Sequence, residues 1–326
     1  MKFGIIGTNF VSDFFMSGTV GLEKCEVVAV SATSMEKAEN FAKKYDIPHC
    51  FDDYTKMHEA GVIEAVYVAV PNGKHKEISL YFLERKIPVF CEKPCAGNLR
   101  EVSEMIDCAK ANNTYFHEGL IPFYAPNMQE LRKALEILGP IRQVTFNFSK
   151  YSSRYDAYLA GENPTTFRSE LANGAIMDLG VYPIGVAVGL WGKPDKIYST
   201  SSLLPTGADV SGTTIFCYPE FNVSISYSKA SDTEIANEIC GELGTIVFDR
   251  SSQLDNLNFI DRLTQERRPI GVEQKHGFYY QIEEMIECIE KGEIQSKKYP
   301  FAKTLEVHEV MTTCRKQSGI VYPCDL

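Results

Sequence analysis

Phe3-Gly4-Ile5-Ile6-Gly7-Thr8-Asn9-Phe10, at the start of the chain, decides how its first third is read. Residues 3–6 form an apolar strand, Gly7 to Asn9 a tight turn, and residues 10–16 carry a helical pattern. The same order then repeats. Residues 26–30 are a strand. The next segment has apolar residues at Met35, Ala38, Phe41, Ala42 and Tyr45, three and four apart, which is a helix period. Residues 48–51, 65–70, 88–91 and 115–117 read as further strands, and 76–84 and 99–111 as helices. Repeated alternation of this kind predicts an α/β domain with a doubly wound parallel sheet.

Beyond a boundary near residues 118–126 the pattern changes. Val223, Ile225 and Tyr227 alternate with Ser224, Ser226 and Ser228, a strand with one polar face. Residues 141–148, 195–203, 213–218, 235–240 and 245–248 are also β-rich, with short turn-like connections. This predicts a C-terminal α+β domain with a large, mainly antiparallel open sheet. Helices at 278–290 and 304–317 close the chain. The expected division is residues 1–120 and 121–302, with a last helix at about 303–318 packing back on the first domain.

The chain has 326 residues, 44% hydrophobic and 23% charged, with ample material for a core. Its net charge of −10 is interleaved rather than blocked, which argues against nucleic acid and anionic membranes as partners. No apolar run approaches a membrane span, and the N-terminus lacks a signal-peptide pattern. Ten cysteines are scattered without a Cys-x-x-Cys pair, so free thiols in a reducing cytoplasm are expected, with no metal site.

Three stretches carry chemistry. In the first, Gly4-x-x-Gly7-Thr8-Asn9-Phe10 joins strand to helix, where glycine lets a backbone approach a pyrophosphate. A plain strand–helix turn has the same look. The second is Glu92-Lys93-Pro94, at the end of an apolar strand. Ligands of open parallel sheets bind outside the carboxyl ends of the strands, though a lysine there is also compatible with simple solvation. Pro71-Asn72-Gly73-Lys74-His75 ends another strand, as a tight turn or as a cofactor-facing loop. The third is Asn173-Gly174-Ala175-Ile176-Met177-Asp178-Leu179-Gly180-Val181-Tyr182. Asp178 and Tyr182, four apart, share one face of a helix, as a substrate-facing pair or as a capping aspartate and a buried tyrosine. At the end of the second strand, Ala32, Thr33 and Ser34 stand where an adenosine ribose would lie. No acidic residue follows until Glu36, and Lys37 is close by. Hydroxyls and an ammonium suit a 2′-phosphate, which weights the cofactor toward NADP over NAD.

Taken together, these residues resemble the Gfo/Idh/MocA family of NAD(P)-dependent oxidoreductases, over essentially the whole chain. Tyrosine at 182, Tyr151-Ser152-Ser153-Arg154 and Leu190-Trp191-Gly192 resemble its dihydrodiol dehydrogenase-like and xylose dehydrogenase-like branch. Two positions depart from the family pattern: Asn9 or Phe10 replaces its third glycine, and Asn173-Gly174 its usual glycine pair. The resemblance implies a Rossmann domain and a cytoplasmic enzyme that forms homodimers or higher homo-oligomers. Its substrate would be a carbohydrate-like or diol small molecule. The implied reaction is hydride transfer between NADP(H) or NAD(H) and a secondary alcohol or hemiacetal carbon. Tyr182 would exchange the proton, Lys93 would hydrogen-bond the substrate oxygen or lower the tyrosine pKa, and Asp178 would orient the substrate or support Lys93. A free tyrosine titrates near ~10. A cation at roughly 4 Å is worth up to about 4 kcal/mol at an effective dielectric of about 20, enough to bring it toward neutrality. Gly7, Thr8, Asn9, Phe10, Ala32, Thr33, Ser34, Lys37, Pro71, Asn72, His75, Glu92 and Lys93 would serve the cofactor. Arg168 and Tyr151 would join Tyr182 at the substrate. Two rival readings are a non-catalytic nicotinamide-binding sensor and an NAD-dependent glycoside hydrolase.

Overall fold

A computed structural model describes residues 1–326. In chain order, its first strands and helices are β1 (Lys2–Ile6), α1 (Phe10–Thr19), β2 (Glu26–Ser31), α2 (Met35–Tyr45), β3 (His49–Phe51) and α3 (Tyr54–Glu59). Next come β4 (Ala65–Val68), α4 (His75–Leu83), β5 (Val89–Cys91), α5 (Leu99–Asn112) and β6 (Phe116–Glu118). The six strands form one parallel sheet in the order β3-β2-β1-β4-β5-β6. Strand order reverses between β1 and β4, the kind of switch point at which open α/β sheets bind ligands. The expected alternation is therefore observed, with α3 as an additional helix.

The chain continues through α6 (Pro126–Ala134), β7 (Ile141–Ser149), α7 (Ser153–Leu159), α8 (Val181–Trp191), β8 (Lys196–Leu203), β9 (Asp209–Cys217) and β10 (Asn222–Ser228). It ends with β11 (Asn237–Gly241), β12 (Gly244–Phe248), β13 (Asn258–Asp261), β14 (Arg267–Pro269), α9 (Gly277–Glu290) and α10 (Phe301–Gln317). These eight strands form a second sheet, β14-β13-β12-β11-β7-β10-β9-β8. All neighbours are antiparallel except β7 and β10. The sheet is thus mainly antiparallel, as the alternating patterns imply.

Two compact units divide the chain. Unit 1 comprises Met1–Ala96, Arg100–Gly119 and Lys275–Thr304; unit 2 comprises Gly97–Leu99, Leu120–Gln274 and Leu305–Leu326. The helix that returns to unit 1 is α9, whereas α10 from Leu305 on stands with unit 2 and not with the first domain, where the sequence reading put it. The reason lies in packing. Phe278 at the start of α9 enters an aromatic cluster with Phe15, Tyr67 and Phe90, in which Phe15 stacks on Tyr67 at 4.2 Å. Burying a Phe side chain contributes roughly 2–3 kcal/mol, so this contact anchors α9 in unit 1.

In unit 2, Val223, Ile225 and Tyr227 of β10 are all buried, and Ser224 on the opposite face is exposed. The run Ser169–Trp191 has the length and hydropathy of a membrane span, contrary to the sequence reading, but 78% of its apolar window is buried inside the protein. It is a core segment. All ten cysteines are free, four of them buried.

Candidate functional site

In unit 1 the candidate residues gather at the carboxyl ends of β1, β2, β4 and β5. Gly7 leaves β1 with φ +103°, and a Cβ there would fall 2.1 Å from the Ala69 carbonyl oxygen. Only glycine lets the turn press so closely on the end of β4. Asn9 caps α1: its Oδ1 accepts from Val11 N at 2.9 Å, and its Nδ2 donates to Ala69 O at 2.8 Å. Asparagine thus does two jobs where the usual fingerprint has glycine. The turn leads straight to the N-terminus of α1, a ready site for a phosphate. Phe10, the first residue of α1, is 68% exposed, and its ring meets Phe14 edge-on at 5.8 Å.

At the end of β2 the predicted trio comes together. Ser34 caps α2 by accepting from Lys37 N at 3.4 Å, and Lys37 Nζ donates to Thr33 Oγ1 at 3.2 Å. The Thr33 hydroxyl and the Lys37 ammonium therefore meet just beyond Ala32, with the Ser34 hydroxyl engaged by the Lys37 backbone N–H. That donor set fits a 2′-phosphate better than a 2′-hydroxyl.

His75 opens α4 and is 1% exposed. Its Nδ1 faces Pro94 O at 2.9 Å and its Nε2 faces Val70 O at 2.8 Å. The ring ties the Pro71-Asn72 loop to the Glu-Lys-Pro turn, supporting both from beneath. Burial lowers its pKa, and the two carbonyls work against that shift.

Glu92 follows β5 and is buried. Its Oε1 accepts from Tyr67 Oη at 2.8 Å and its Oε2 from Lys93 N at 3.3 Å. Burial pushes the carboxyl up to about 7, although the Lys93 charge and both hydrogen bonds oppose it. Neither the Tyr67 contact nor this shift was visible in the sequence, because the partner comes from the neighbouring strand β4.

In unit 2, Asp178 lies in a π-helical turn, Ile176–Gly180, that leads into α8. The sequence spacing implies a plain α-helix; the wide turn replaces it, a distortion frequent at functional sites. Tyr182, in the first turn of α8, is 9% exposed and meets Phe148 of β7 edge-on at 5.4 Å. Asp178 pairs with Lys229, a residue that the sequence reading passed over. Asp209 of β9 secures the start of the segment: its Oδ2 accepts from Ile176 N at 2.7 Å. A Cβ on Gly174 would fall 2.0 Å from Asp209 Oδ1, which explains the glycine before the helix. Burial pushes Asp209 up to about 7, against the helix N–H groups that hold it.

The remaining substrate candidates have local partners. Arg168 Nε donates to Glu170 Oε1 at 2.7 Å, and Tyr151 Oη donates to Asp156 Oδ1 at 2.6 Å. Tyr155 and Tyr158 pack on Phe167, Ala208 and Val210, forming an aromatic shelf in unit 2.

Known proteins match the chain along its whole length. A family model described as "Oxidoreductase family, NAD-binding Rossmann fold" covers residues 1–120, and one described as "GFO/IDH/MocA C-terminal domain" covers residues 128–247. The scyllo-inositol 2-dehydrogenase (NADP(+)) IolU of Bacillus subtilis is 37% identical, over 100% of this chain and 99% of the relative. The trans-1,2-dihydrobenzene-1,2-diol dehydrogenase of Danio rerio is 26% identical, over 100% and 99%. A levoglucosan dehydrogenase solved with NADH and levoglucosan superposes with a TM-score of 0.84 at 18% identity, covering 98% of this chain and 97% of that one. A tyrosine-to-phenylalanine mutant of a 3-ketoreductase of Actinomadura kijaniata, solved with TDP-benzene and NADP, gives 0.86 at 16% identity, covering 99% of each chain.

Proposed function

The chain belongs to the Gfo/Idh/MocA family of oxidoreductases, and from that premise we propose that it is an NADP-preferring dehydrogenase of polyols or cyclic diols, oxidising a secondary alcohol. The observation that carries this reading is the helical segment of unit 2. It presents a half-exposed carboxylate, Asp178, and a phenol, Tyr182, on consecutive turns. The donor trio Thr33, Ser34 and Lys37 supports NADP as the cofactor. The names of the matched relatives, an inositol and a dihydrodiol dehydrogenase, support a polyol or diol as substrate.

NADP(+), when bound, supplies the hydride acceptor. Tyr182 takes the hydroxyl proton of the substrate at its phenolic oxygen as the carbinol hydrogen leaves with its electron pair. The family resemblance gives Lys93 the role of hydrogen-bonding the reacting oxygen or of lowering the pKa of the proton acceptor. Asp178 accepts a hydrogen bond from the substrate and fixes its orientation.

The test is fluorescence titration with NADPH and NADH, followed by a panel of polyols and diols with the tighter cofactor. Tyr182→Phe should lower kcat by roughly 100- to 10,000-fold while NADPH binding persists. Unchanged turnover in that variant would sink the proton-transfer role. Tight cofactor binding with no turnover across the panel would favour a sensor instead.

A further inference from the structure

Lys229 lies one residue beyond β10. Val223, Ile225 and Tyr227 point to the buried face of the sheet, and the two-residue period carries Lys229 onto that same face. Its backbone is held on both sides: Lys229 N donates to Val210 O at 2.9 Å, and Lys229 O accepts from Ser152 N at 2.9 Å. An ammonium on a buried sheet face is rare unless paired. Its partner is Asp178, and the pair is asymmetric: the Lys229 side chain is 7% exposed, that of Asp178 45%. The cation is sealed in and the carboxylate faces outward.

A buried ion pair stabilises a fold little more than apolar packing would. What this one achieves is to hold a carboxylate in one direction and still within reach of a ligand. Tyr182 stands over the same part of the sheet. Its ring contact, Phe148, is paired in register with Tyr227, two residues before Lys229.

We propose that Lys229 is a positioning residue: it holds Asp178 as an oriented acceptor for the hydroxyl beside the reacting carbinol, so that the enzyme selects vicinal diols over isolated alcohols. The inference rests on the roles given above to Asp178 and Tyr182. A vicinal diol offers one hydroxyl to Tyr182 and its neighbour to Asp178. An isolated alcohol forgoes the hydrogen bond to Asp178 that the diol makes, and a site built to pair a hydroxyl discriminates against ligands that lack it. Without Lys229 the carboxylate loses its fixed direction, and the preference goes with it.

The probes are trans-cyclohexane-1,2-diol and cyclohexanol with NADP(+), compared in the wild type, Lys229→Met, Lys229→Arg, Asp178→Asn and the Lys229→Met/Asp178→Asn double variant. The wild type should prefer the diol by roughly 10- to 100-fold in kcat/KM. Lys229→Met should lose most of that preference, with cyclohexanol turnover and NADPH affinity kept within about threefold. Lys229→Arg should retain the preference, and the double variant should be no worse than Asp178→Asn. Equal slowing on both probes, or losses that multiply between Lys229 and Asp178, overturns the proposal. If Lys229→Met does not fold, the double variant, which leaves no charge unpaired, carries the test, and a surviving diol preference overturns it. A wild type that oxidises scyllo-inositol but does not prefer the diol probe overturns this inference alone. A wild type inactive on every polyol overturns the dehydrogenase reading.

Discussion

Glu92→Gln isolates a charge that sits next to the proposed catalytic lysine. In the folded chain the Glu92 carboxyl titrates near about 7, against an ordinary value of 4.5. A carboxyl that holds its proton more tightly when folded stabilises the native state fully below about 4.5, and that contribution is lost as pH rises through about 7. At about 1.4 kcal/mol per pH decade the loss amounts to about 3 kcal/mol. Glutamine keeps the acceptor for Tyr67 Oη and gives up the longer contact with Lys93 N, so it abolishes the titration at modest structural cost. Urea unfolding of both proteins between pH 5 and pH 8 measures the effect, since in the difference all other groups cancel. The variant should gain on the wild type by about 2–3 kcal/mol across that range, the part of the loss that falls above pH 5. The same substitution should remove an inflection near about 7 from the pH profile of kcat/KM, because Lys93 would no longer see a neighbour that changes charge. A stability difference that stays flat with pH would mean that Glu92 is ionised throughout, and the argument from burial would be wrong.

Two further outcomes follow from the cofactor side and the site helix. Lys37→Ala removes the ammonium beside Thr33 and Ser34 and should weaken NADPH binding roughly 5- to 20-fold, with NADH changed by less than about twofold, as read by fluorescence titration. Gly174→Ala places a Cβ 2.0 Å from Asp209 Oδ1, displacing the carboxylate from the start of the site helix, and should cost about 2–4 kcal/mol in thermal unfolding. Adding Asp209→Ala to that variant should cost less than the two changes separately, because the clash is then gone.

How much of this was legible in the sequence depended on whether the decisive contacts are local. The parallel sheet was legible because each strand, turn and helix of unit 1 signals itself within a few residues, down to Ser34 and Lys37 meeting across one helical turn. The pairing of β7 with β10 was not, since nothing within either strand specifies a parallel partner more than seventy residues away. The place of α9 was hidden for the same reason: its amphipathic period says that it buries a face, not that Phe278 buries it against Phe15 and Phe90. Glu92 could be read as a strand-end carboxylate, but its titration at about 7 comes from burial by residues of other elements, against the hydrogen bond from Tyr67. Lys229 is the instructive case, because its signal was in reach. The serines of β10 suggest a solvent face, on which a lysine after Ser228 looks like an exposed strand end. Counting by twos from Val223 instead places Lys229 on the face of Ile225 and Tyr227, where a charge demands a partner. On that face the partner is an acid from the segment packed against it, Asp178. A buried face that ends in a charge is thus as strong a pointer to a site as a motif.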